Sequence, residues 1–155
     1  MPPLPPPKNS CRDQLLDSAE EVVLRTGLGS LTLDAVAAHA KVSKGGLLYH
    51  FPSKDALIVA MVQRTCDNWR QDYSEAIAAE PPGPGRVPRA LLKMCMGTPE
   101  SCDATCRRSS VVLVAAIANN PELAAPLRKT YADLWARLHE DSGSAAAGEA
   151  VVLAL

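Results

Sequence analysis

The chain has 155 residues, of which 47% are hydrophobic, and a net charge of −1 from 16 basic and 17 acidic side chains. So much hydrophobic content with so little net charge excludes a protein disordered along its whole length. The same balance excludes a uniformly basic, histone-like protein, so any contact with DNA has to come from a local patch. Residues 1–10 are rich in proline, and we expect them to form a disordered tail.

A first amphipathic helix is predicted from Arg12 to Thr26. Its apolar residues recur at helical spacing, at Leu15, Leu16, Ala19, Val22 and Val23. Gly27 follows directly and suits the left-handed conformation that ends a helix.

Two short helices separated by a tight turn are predicted next. Thr32 is a good N-cap for the first of them and Ser43 for the second. Pro52 then breaks the chain, and Ser53 caps a third start. This is the arrangement of a helix-turn-helix, in which the second helix enters the major groove of DNA.

The second short helix carries residues that favour DNA binding over helix stability. Gly45 and Gly46 each cost about 1 kcal/mol of helix propensity, but they allow the helix to approach phosphates and base edges closely. Lys44 and Lys54 put positive charge at helix N-termini, where the helix dipole disfavours it and a phosphate attracts it. One turn after Lys44 come two rings that are able to donate hydrogen bonds to the DNA backbone, Tyr49 and His50.

Five apolar residues are expected to hold this second short helix against the first helix of the chain: Val36, Ala40, Val42, Leu48 and Phe51. The alternative interpretation is that Lys44, Tyr49 and Lys54 are ordinary surface residues of a small helical hairpin. The ordered succession of cap, paired glycines, aromatic residue, proline and second cap favours DNA binding.

A long helix is predicted from Lys54 to Glu80, roughly 40 Å at 1.5 Å per residue, and the Pro/Gly run at 81–85 ends it. Further helices are predicted at Val87–Met96, Cys102–Asn119 and Pro121–Glu140, the last kinked or divided at Pro126, with a final apolar helix at Glu149–Leu155. No alternating strand pattern is present. The predicted fold is therefore all-α, an N-terminal three-helix helix-turn-helix domain joined through a long helix to a helical regulatory domain, with bounds at 1–10 (tail), 11–55 and 56–155.

Four stretches of the predicted helix-turn-helix resemble the TetR (tetracycline-repressor-like) family: Thr32–Ala37, Val42–Gly45, Leu47–Phe51 and Ser53–Leu57. The resemblance covers Arg12 to Met61 and rests beyond that on the layout of the helices. It implies a homodimeric regulator, usually a repressor, that binds a palindromic operator in double-stranded DNA.

The complete set of expected DNA-contacting residues is Thr32, Ser43, Lys44, Gly45, Gly46, Leu47, Tyr49, His50 and Lys54. Gly46 departs from the family pattern, in which a small hydroxyl or methyl residue is common, and so removes one side-chain contact.

The resemblance also implies a small effector, bound among the helices after the fourth, that moves the DNA-reading helices apart. The candidate lining residues are Trp69, Met94, Leu113, Ile117, Tyr131 and Trp135, for which plain core packing is the alternative. Because few polar groups accompany them, we expect an apolar or aromatic effector.

The end of the sequence differs from what the resemblance implies. Relatives dimerise through two final helices, whereas after His139 this chain has room for barely one and ends within the apolar run Val151–Leu155. The regulatory domain is therefore expected to be truncated or to pair differently.

Other kinds of site receive little support from the sequence. Cys102 and Cys106 share a helical face and admit a metal or redox interpretation, but a zinc site needs about four ligands. The irregular spacing of all five cysteines favours incidental reduced thiols. We expect no catalytic residues, no metal, no cofactor and no membrane span, and a cytoplasmic protein. The alternative function is a helical protein-interaction module that has lost DNA binding.

Overall fold

The structure is a computed structural model that describes residues 10–96 and 120–142. Along these residues run the helices α1 (Cys11–Thr26), α2 (Leu33–Ala40), α3 (Lys44–His50), α4 (Lys54–Ala79), α5 (Arg86–Cys95) and α6 (Ala125–Ser142). Short 3-10 turns lie at Leu28–Ser30 and Pro121–Ala124. The described part of the chain contains helices and no strand, which confirms the all-α prediction.

The described residues form two compact units. The first contains residues 10–62 and 120–124, and the second contains residues 63–96 and 125–142. Helix α4 is continuous across the boundary between them. The functional domains predicted at 11–55 and 56–155 stay a prediction.

Helix α1 begins where Ser10 accepts a hydrogen bond from the Asp13 amide at 3.1 Å. The five apolar residues predicted to face inward are all buried. Gly27, which follows the helix, has φ 75° and ψ 162°, so its φ is positive as predicted although its ψ lies outside the left-handed helical region. A side chain with a Cβ is strained at such a φ, which explains why glycine stands here.

Local hydrogen bonds define where α2, α3 and α4 begin and how α2 is joined to α3. The three predicted N-cap hydroxyls each accept a hydrogen bond from the amide three residues further on, at 3.0–3.1 Å: Thr32, Ser43 and Ser53. Between α2 and α3, Lys41 adopts the left-handed conformation with φ 57° and ψ 39°. Although this conformation costs a lysine about 1 kcal/mol or more, it lets the Val42 amide bond back to the Ala37 carbonyl at 3.0 Å and so closes the tight turn.

The face that α3 turns inward differs from the prediction. Leu47 is fully buried and Phe51 is only 2% exposed, whereas Leu48, which we predicted to be core, is 37% exposed. Leu47 and Phe51 are four residues apart and so share a face, whereas Leu48 is rotated by about 100° from Leu47. The prediction for Leu48 was therefore wrong.

Helix α4 has 26 residues and a length of about 39 Å, close to the predicted Lys54–Glu80. In the second unit its inner face meets α5 and α6 in a core formed by Tyr73, Val87, Leu91 and Leu138. The start of α5 has a glycine as N-cap, which offers no side-chain acceptor. The Asp141 carboxylate of α6 supplies one instead, accepting from the Val87 amide at 2.8 Å.

A buried carboxylate follows the end of α4. Glu80 receives the Lys93 ammonium at 2.6 Å, and the Arg89 guanidinium lies 3.6 Å from its other oxygen. The hydrogen bond and charge of Lys93 lower the pKa of Glu80 more than its removal from water raises it. The ionised carboxylate thus links the end of α4 to α5.

This arrangement predicts an acid-sensitive contribution to stability. A pKa lowered in the folded state means that Glu80 stabilises the fold above its unfolded pKa and loses this effect as the pH falls through its folded pKa. We expect Glu80→Gln to lower the Tm at pH 7 and to differ less from the parent near pH 3. Thermal unfolding at both pH values checks this, with the exposed Glu140→Gln as control. An equal Tm difference at the two pH values would contradict it.

Pro126 divides the last predicted helix rather than kinking it. A 3-10 turn ends at Ala124 and α6 begins at Ala125, so Pro126 stands in the first helical turn, where its missing N–H costs nothing. The predicted helices at Cys102–Asn119 and Glu149–Leu155 lie outside the described residues. None of the described helices combines the length and the apolar character that crossing a membrane requires.

Candidate nucleic-acid interface and ligand pocket

The first turn of α3 exposes its backbone. All four residues of this turn are exposed: Ser43, Lys44, Gly45 and Gly46. A Cβ placed on Gly45 would have no atom within 4 Å, and one placed on Gly46 would lie 3.3 Å from Ser43 Oγ. The Gly46 amide is capped by Ser43 Oγ, but no side chain projects from either glycine, so an anionic surface is able to approach this backbone closely.

Lys44 forms an ion pair that the sequence did not indicate. Its Nζ lies 3.0 Å from the carboxylate of Asp34 on α2. Both side chains are more than half exposed, so water screens the pair and its contribution to stability is small. This exposed pair thus holds the lysine only weakly at the start of α3.

Two neighbouring rings stand at the other end of α3. Tyr49 is 85% exposed, and its ring meets the edge of the half-buried His50 ring at a centroid distance of 5.1 Å. On the opposite face of the same helix, Leu47 and Phe51 are buried. Helix α3 therefore exposes the hydroxyl-bearing ring of Tyr49 on one face, and the apolar residues of its other face hold it to the core.

The charge around α3 is locally positive. The stretch from Lys41 to Lys54 contains three lysines and no carboxylate, although the whole chain has a net charge of −1. Lys54 is half-buried at the start of α4. The local patch that DNA contact requires is thus present in the sequence around the turn and α3.

One member of the predicted DNA-contacting set has to be corrected. Leu47 is fully buried, so its side chain is unable to reach DNA, because it belongs to the face that packs α3 onto the core. Thr32 caps α2 and is exposed, and Lys54 begins α4. The other members lie on α3 or cap it: Ser43, Lys44, Gly45, Gly46, Tyr49 and His50. Their contact with DNA stays a prediction.

Arg12 lies beside the end of α3, although it stands in the first turn of α1. Its guanidinium carbon is 5.2 Å from the centroid of the Phe51 ring, and the side chain is exposed. Arg12 is not among the DNA-contacting residues predicted from the sequence. A cation in the first turn of a helix was the signal used for Lys44 and Lys54, and the same signal was available here.

The second unit contains a pocket of about 500 Å³. Three of the predicted effector-binding residues line it, Trp69, Met94 and Tyr131. The remaining lining residues were missed: Tyr73, Leu91, Thr130 and Leu134. They alternate with predicted residues along the same helices, but only the packing of α4, α5 and α6 shows which of them face the pocket.

The pocket is lined by apolar and aromatic groups. Three of the six aromatic residues of the chain line it, and none of the described lining residues is charged. The Thr130 hydroxyl is satisfied by donating to the Pro126 carbonyl at 3.0 Å. This lining suits a flat apolar or aromatic molecule.

Trp135 was predicted to line the pocket and does not. It packs instead against the core of the second unit, and its ring lies 5.2 Å from the His139 ring. Tyr131 stands four residues before it, on the same face of α6, and does line the pocket, so helical spacing alone does not distinguish the two residues. The other two predicted residues, Leu113 and Ile117, lie outside the described residues.

The cysteines that the structure describes do not form a site. Cys11 is exposed and Cys66 is buried, and burial raises the pKa of the Cys66 thiol more than a hydrogen bond with Thr130 lowers it. A raised pKa keeps the thiol protonated and unreactive. Within residues 10–96 and 120–142, no cluster of three or more His, Cys, Asp or Glu side chains is able to hold a metal ion. Cys102 and Cys106 lie outside these residues.

Two family sequence models match the parts of the chain that contain α3 and the pocket helices α5 and α6. The sequence model described as "Bacterial regulatory proteins, tetR family" matches residues 15–61, which include α2, α3 and the start of α4. A second model, "Tetracyclin repressor-like, C-terminal domain", matches residues 85–155. The chain belongs to the TetR family. The predicted resemblance is thereby confirmed, and the second match extends it to a tetracycline-repressor-like C-terminal domain that includes the pocket residues on α5 and α6.

Individual TetR relatives match parts of the chain. The HTH-type transcriptional activator FasR of Mycolicibacterium smegmatis is 42% identical over 71 residues, which cover 46% of this chain and 32% of FasR. The HTH-type transcriptional regulator BetI of Burkholderia ambifaria is 26% identical over 132 residues, covering 84% of this chain and 56% of BetI. The chain thus spans little more than half of BetI and a third of FasR.

A solved structure of a multidrug binding protein has the same fold. The multidrug binding protein EbrR, in complex with malachite green, superposes with a TM-score of 0.63 at 25% identity, covering 84% of this chain and 74% of EbrR. EbrR has also been solved in complex with ethidium. The predicted helix-turn-helix and helical regulatory domain agree with this likeness.

Proposed function

We propose that this protein is a ligand-responsive transcriptional repressor that binds a palindromic operator in double-stranded DNA as a homodimer. Membership of the TetR family supports regulation of transcription. The observation that carries DNA binding is the two-sided character of α3, on which Tyr49 is 85% exposed while Leu47 is fully buried. A helix anchored in this way is suited to enter the major groove.

In this proposal the N-terminal turn of α3 meets the DNA backbone. Lys44 exchanges Asp34 for a phosphate, and the exposed backbone at Gly45 and Gly46 approaches closely because no side chain intervenes. Tyr49 and His50 donate hydrogen bonds further along the helix. Thr32, Ser43 and Lys54 contribute from the flanking helix starts. Two copies of α3 then read the two half-sites of a palindrome.

The pocket of the second unit holds the effector in this proposal. Its uncharged aromatic lining, from Trp69, Tyr73 and Tyr131, favours an aromatic ligand, and EbrR is solved with the aromatic dyes malachite green and ethidium. An effector lowers DNA affinity only by as much as it prefers the arrangement that does not bind DNA. We therefore expect it to release the operator and to allow transcription in the cytoplasm, where we propose that the protein acts.

The test is a salt titration of binding to DNA from upstream of the protein's own gene, with scrambled DNA as control. Counterion release makes binding to the backbone fall steeply as salt rises, and base contacts separate the two DNAs. Tight, selective and salt-dependent binding supports the proposal. Weak binding to both DNAs favours the alternative, a helical interaction module, and the mass in solution then reports whether the chain is a dimer. Release of bound operator by malachite green tests the pocket.

Gly45→Ala is expected to act in opposite directions on stability and on DNA binding. The added Cβ meets no atom of the protein, and alanine gains up to about 1 kcal/mol of helix propensity, so the Tm rises. Operator affinity falls by about tenfold or more, equivalent to about 1.4 kcal/mol, because the methyl group separates backbone and phosphate. Thermal unfolding and operator titration measure both effects, with the exposed Gly29→Ala as control. Unchanged affinity would show that α3 does not approach DNA at this turn.

A further inference from the structure

We infer that Arg12 is an additional DNA-backbone contact, positioned by the ring of Phe51; this inference rests on the proposed DNA binding. Arg12 lies in the first turn of α1, remote in sequence from the reading helix. Its guanidinium carbon is 5.2 Å from the Phe51 ring centroid, and Phe51 is the C-cap residue that follows α3. The fold thus brings an exposed arginine to the C-terminal end of α3.

A continuous row of ring contacts connects Arg12 to the exposed part of α3. The Tyr49 and His50 rings are 5.1 Å apart, and the His50 and Phe51 rings are 6.4 Å apart. Arg12 follows at 5.2 Å from Phe51. These contacts place the exposed guanidinium at the same end of α3 as the Tyr49 and His50 rings, so a DNA backbone that meets this end of the helix is within reach of Arg12.

The charge environment of Arg12 suits an anion from outside the chain. In the first turn of α1 the helix dipole disfavours a cation. Among the residues that the structure describes, no carboxylate forms an ion pair with Arg12. Arg25, in the last turn of the same helix, differs on both counts, because the dipole favours it and it pairs with Glu21 at 3.0 Å. The two arginines of α1 thus have different roles.

The contact with the Phe51 ring positions the Arg12 guanidinium for a phosphate. Phe51 is only 2% exposed, so its ring is held by the core and gives the guanidinium a fixed surface. The guanidinium carbon lies over this ring, and the N–H groups of a guanidinium are donors that suit phosphate oxygens. Such a contact adds affinity without adding sequence specificity.

The experiment compares the full chain with Arg12→Gln, Arg12→Lys and Arg25→Gln by titrating operator DNA at several salt concentrations. Arg12→Gln is expected to weaken binding about tenfold or more and to reduce the salt slope by about 0.9 for each chain bound. Arg12→Lys keeps the charge and retains most of the slope. Arg25→Gln leaves affinity and slope unchanged. Scrambled DNA should lose affinity for Arg12→Gln by the same factor as operator DNA.

A salt slope that is unchanged in Arg12→Gln overturns the inference. If the variant also binds more weakly and has a lowered Tm, the contact with Phe51 is merely structural. Loss of binding to operator DNA alone also overturns it, because a backbone contact acts on every sequence. If the parent protein itself shows no salt-dependent DNA binding, the proposed function fails and the inference fails with it. The parent titration separates that case from a failure of Arg12 alone.

Discussion

Replacing Leu47 by alanine is expected to destabilise the first unit by about 2–5 kcal/mol and to abolish DNA binding. Leu47 is fully buried in a helix of only seven residues, and two of those residues are glycines. Such a helix has little stability of its own and depends on packing. Loss of the Leu47 side chain leaves Phe51 as the main anchor of α3, so the reading helix is released together with the core contact.

Urea unfolding followed by circular dichroism measures this effect, and Leu48→Ala is the matched control. Leu48 is the same residue type in the same helix but is 37% exposed, so we expect its replacement to cost less than about 1 kcal/mol. Equal losses in the two variants would show that α3 has a different inward face. A small loss in Leu47→Ala would mean that α3 does not depend on this contact.

Tyr49→Ala is expected to leave stability unchanged and to weaken operator binding about 10- to 100-fold. The side chain is 85% exposed and so contributes little to the core. A hydrogen bond from its hydroxyl to a charged phosphate contributes about 1.5–3 kcal/mol, which corresponds to this loss of affinity. Lys44→Ala is expected to behave in the same direction, since its ion pair with Asp34 is exposed and weak.

Fluorescence anisotropy of labelled operator measures these affinities. Tyr49→Phe separates the hydroxyl from the ring, and we expect it to lose most of the affinity that Tyr49→Ala loses. His39→Ala, an exposed ring on α2, is the control and should bind as the parent does. If both Tyr49→Ala and Lys44→Ala bind operator with parental affinity, α3 is not the reading helix.

Much of the candidate DNA-binding site was predictable because it depends on local interactions. The caps at Thr32, Ser43 and Ser53 act on amides three residues away, so short stretches of sequence contain both partners. Leu47 and Leu48 show the limit of this reasoning. In a seven-residue helix with adjacent leucines the 3.6-residue period is compatible with either one facing inward, and packing against the rest of the unit selects Leu47.

The ligand pocket was predictable only in part. Trp69, Met94 and Tyr131, which were predicted to bind an effector, lie on its wall, and effector binding itself stays a prediction. Trp135 was also expected there and instead packs in the core, and Thr130 was overlooked because a threonine in a helix carries no distinctive signal. Amphipathic spacing indicates which residues of a helix turn inward, but whether an inward residue meets a neighbour or a cavity depends on how three helices pack.

The sequence by itself determined the described helices, their caps and breaks and the family resemblance, because the interactions that specify these features span a few residues. Only the tertiary structure decided which partners come together across long separations. It placed Arg12 on Phe51, joined Lys44 to Asp34 and surrounded Glu80 with cations from α5. Those contacts depend on distances between helices, and no pattern along a single helix contains that information.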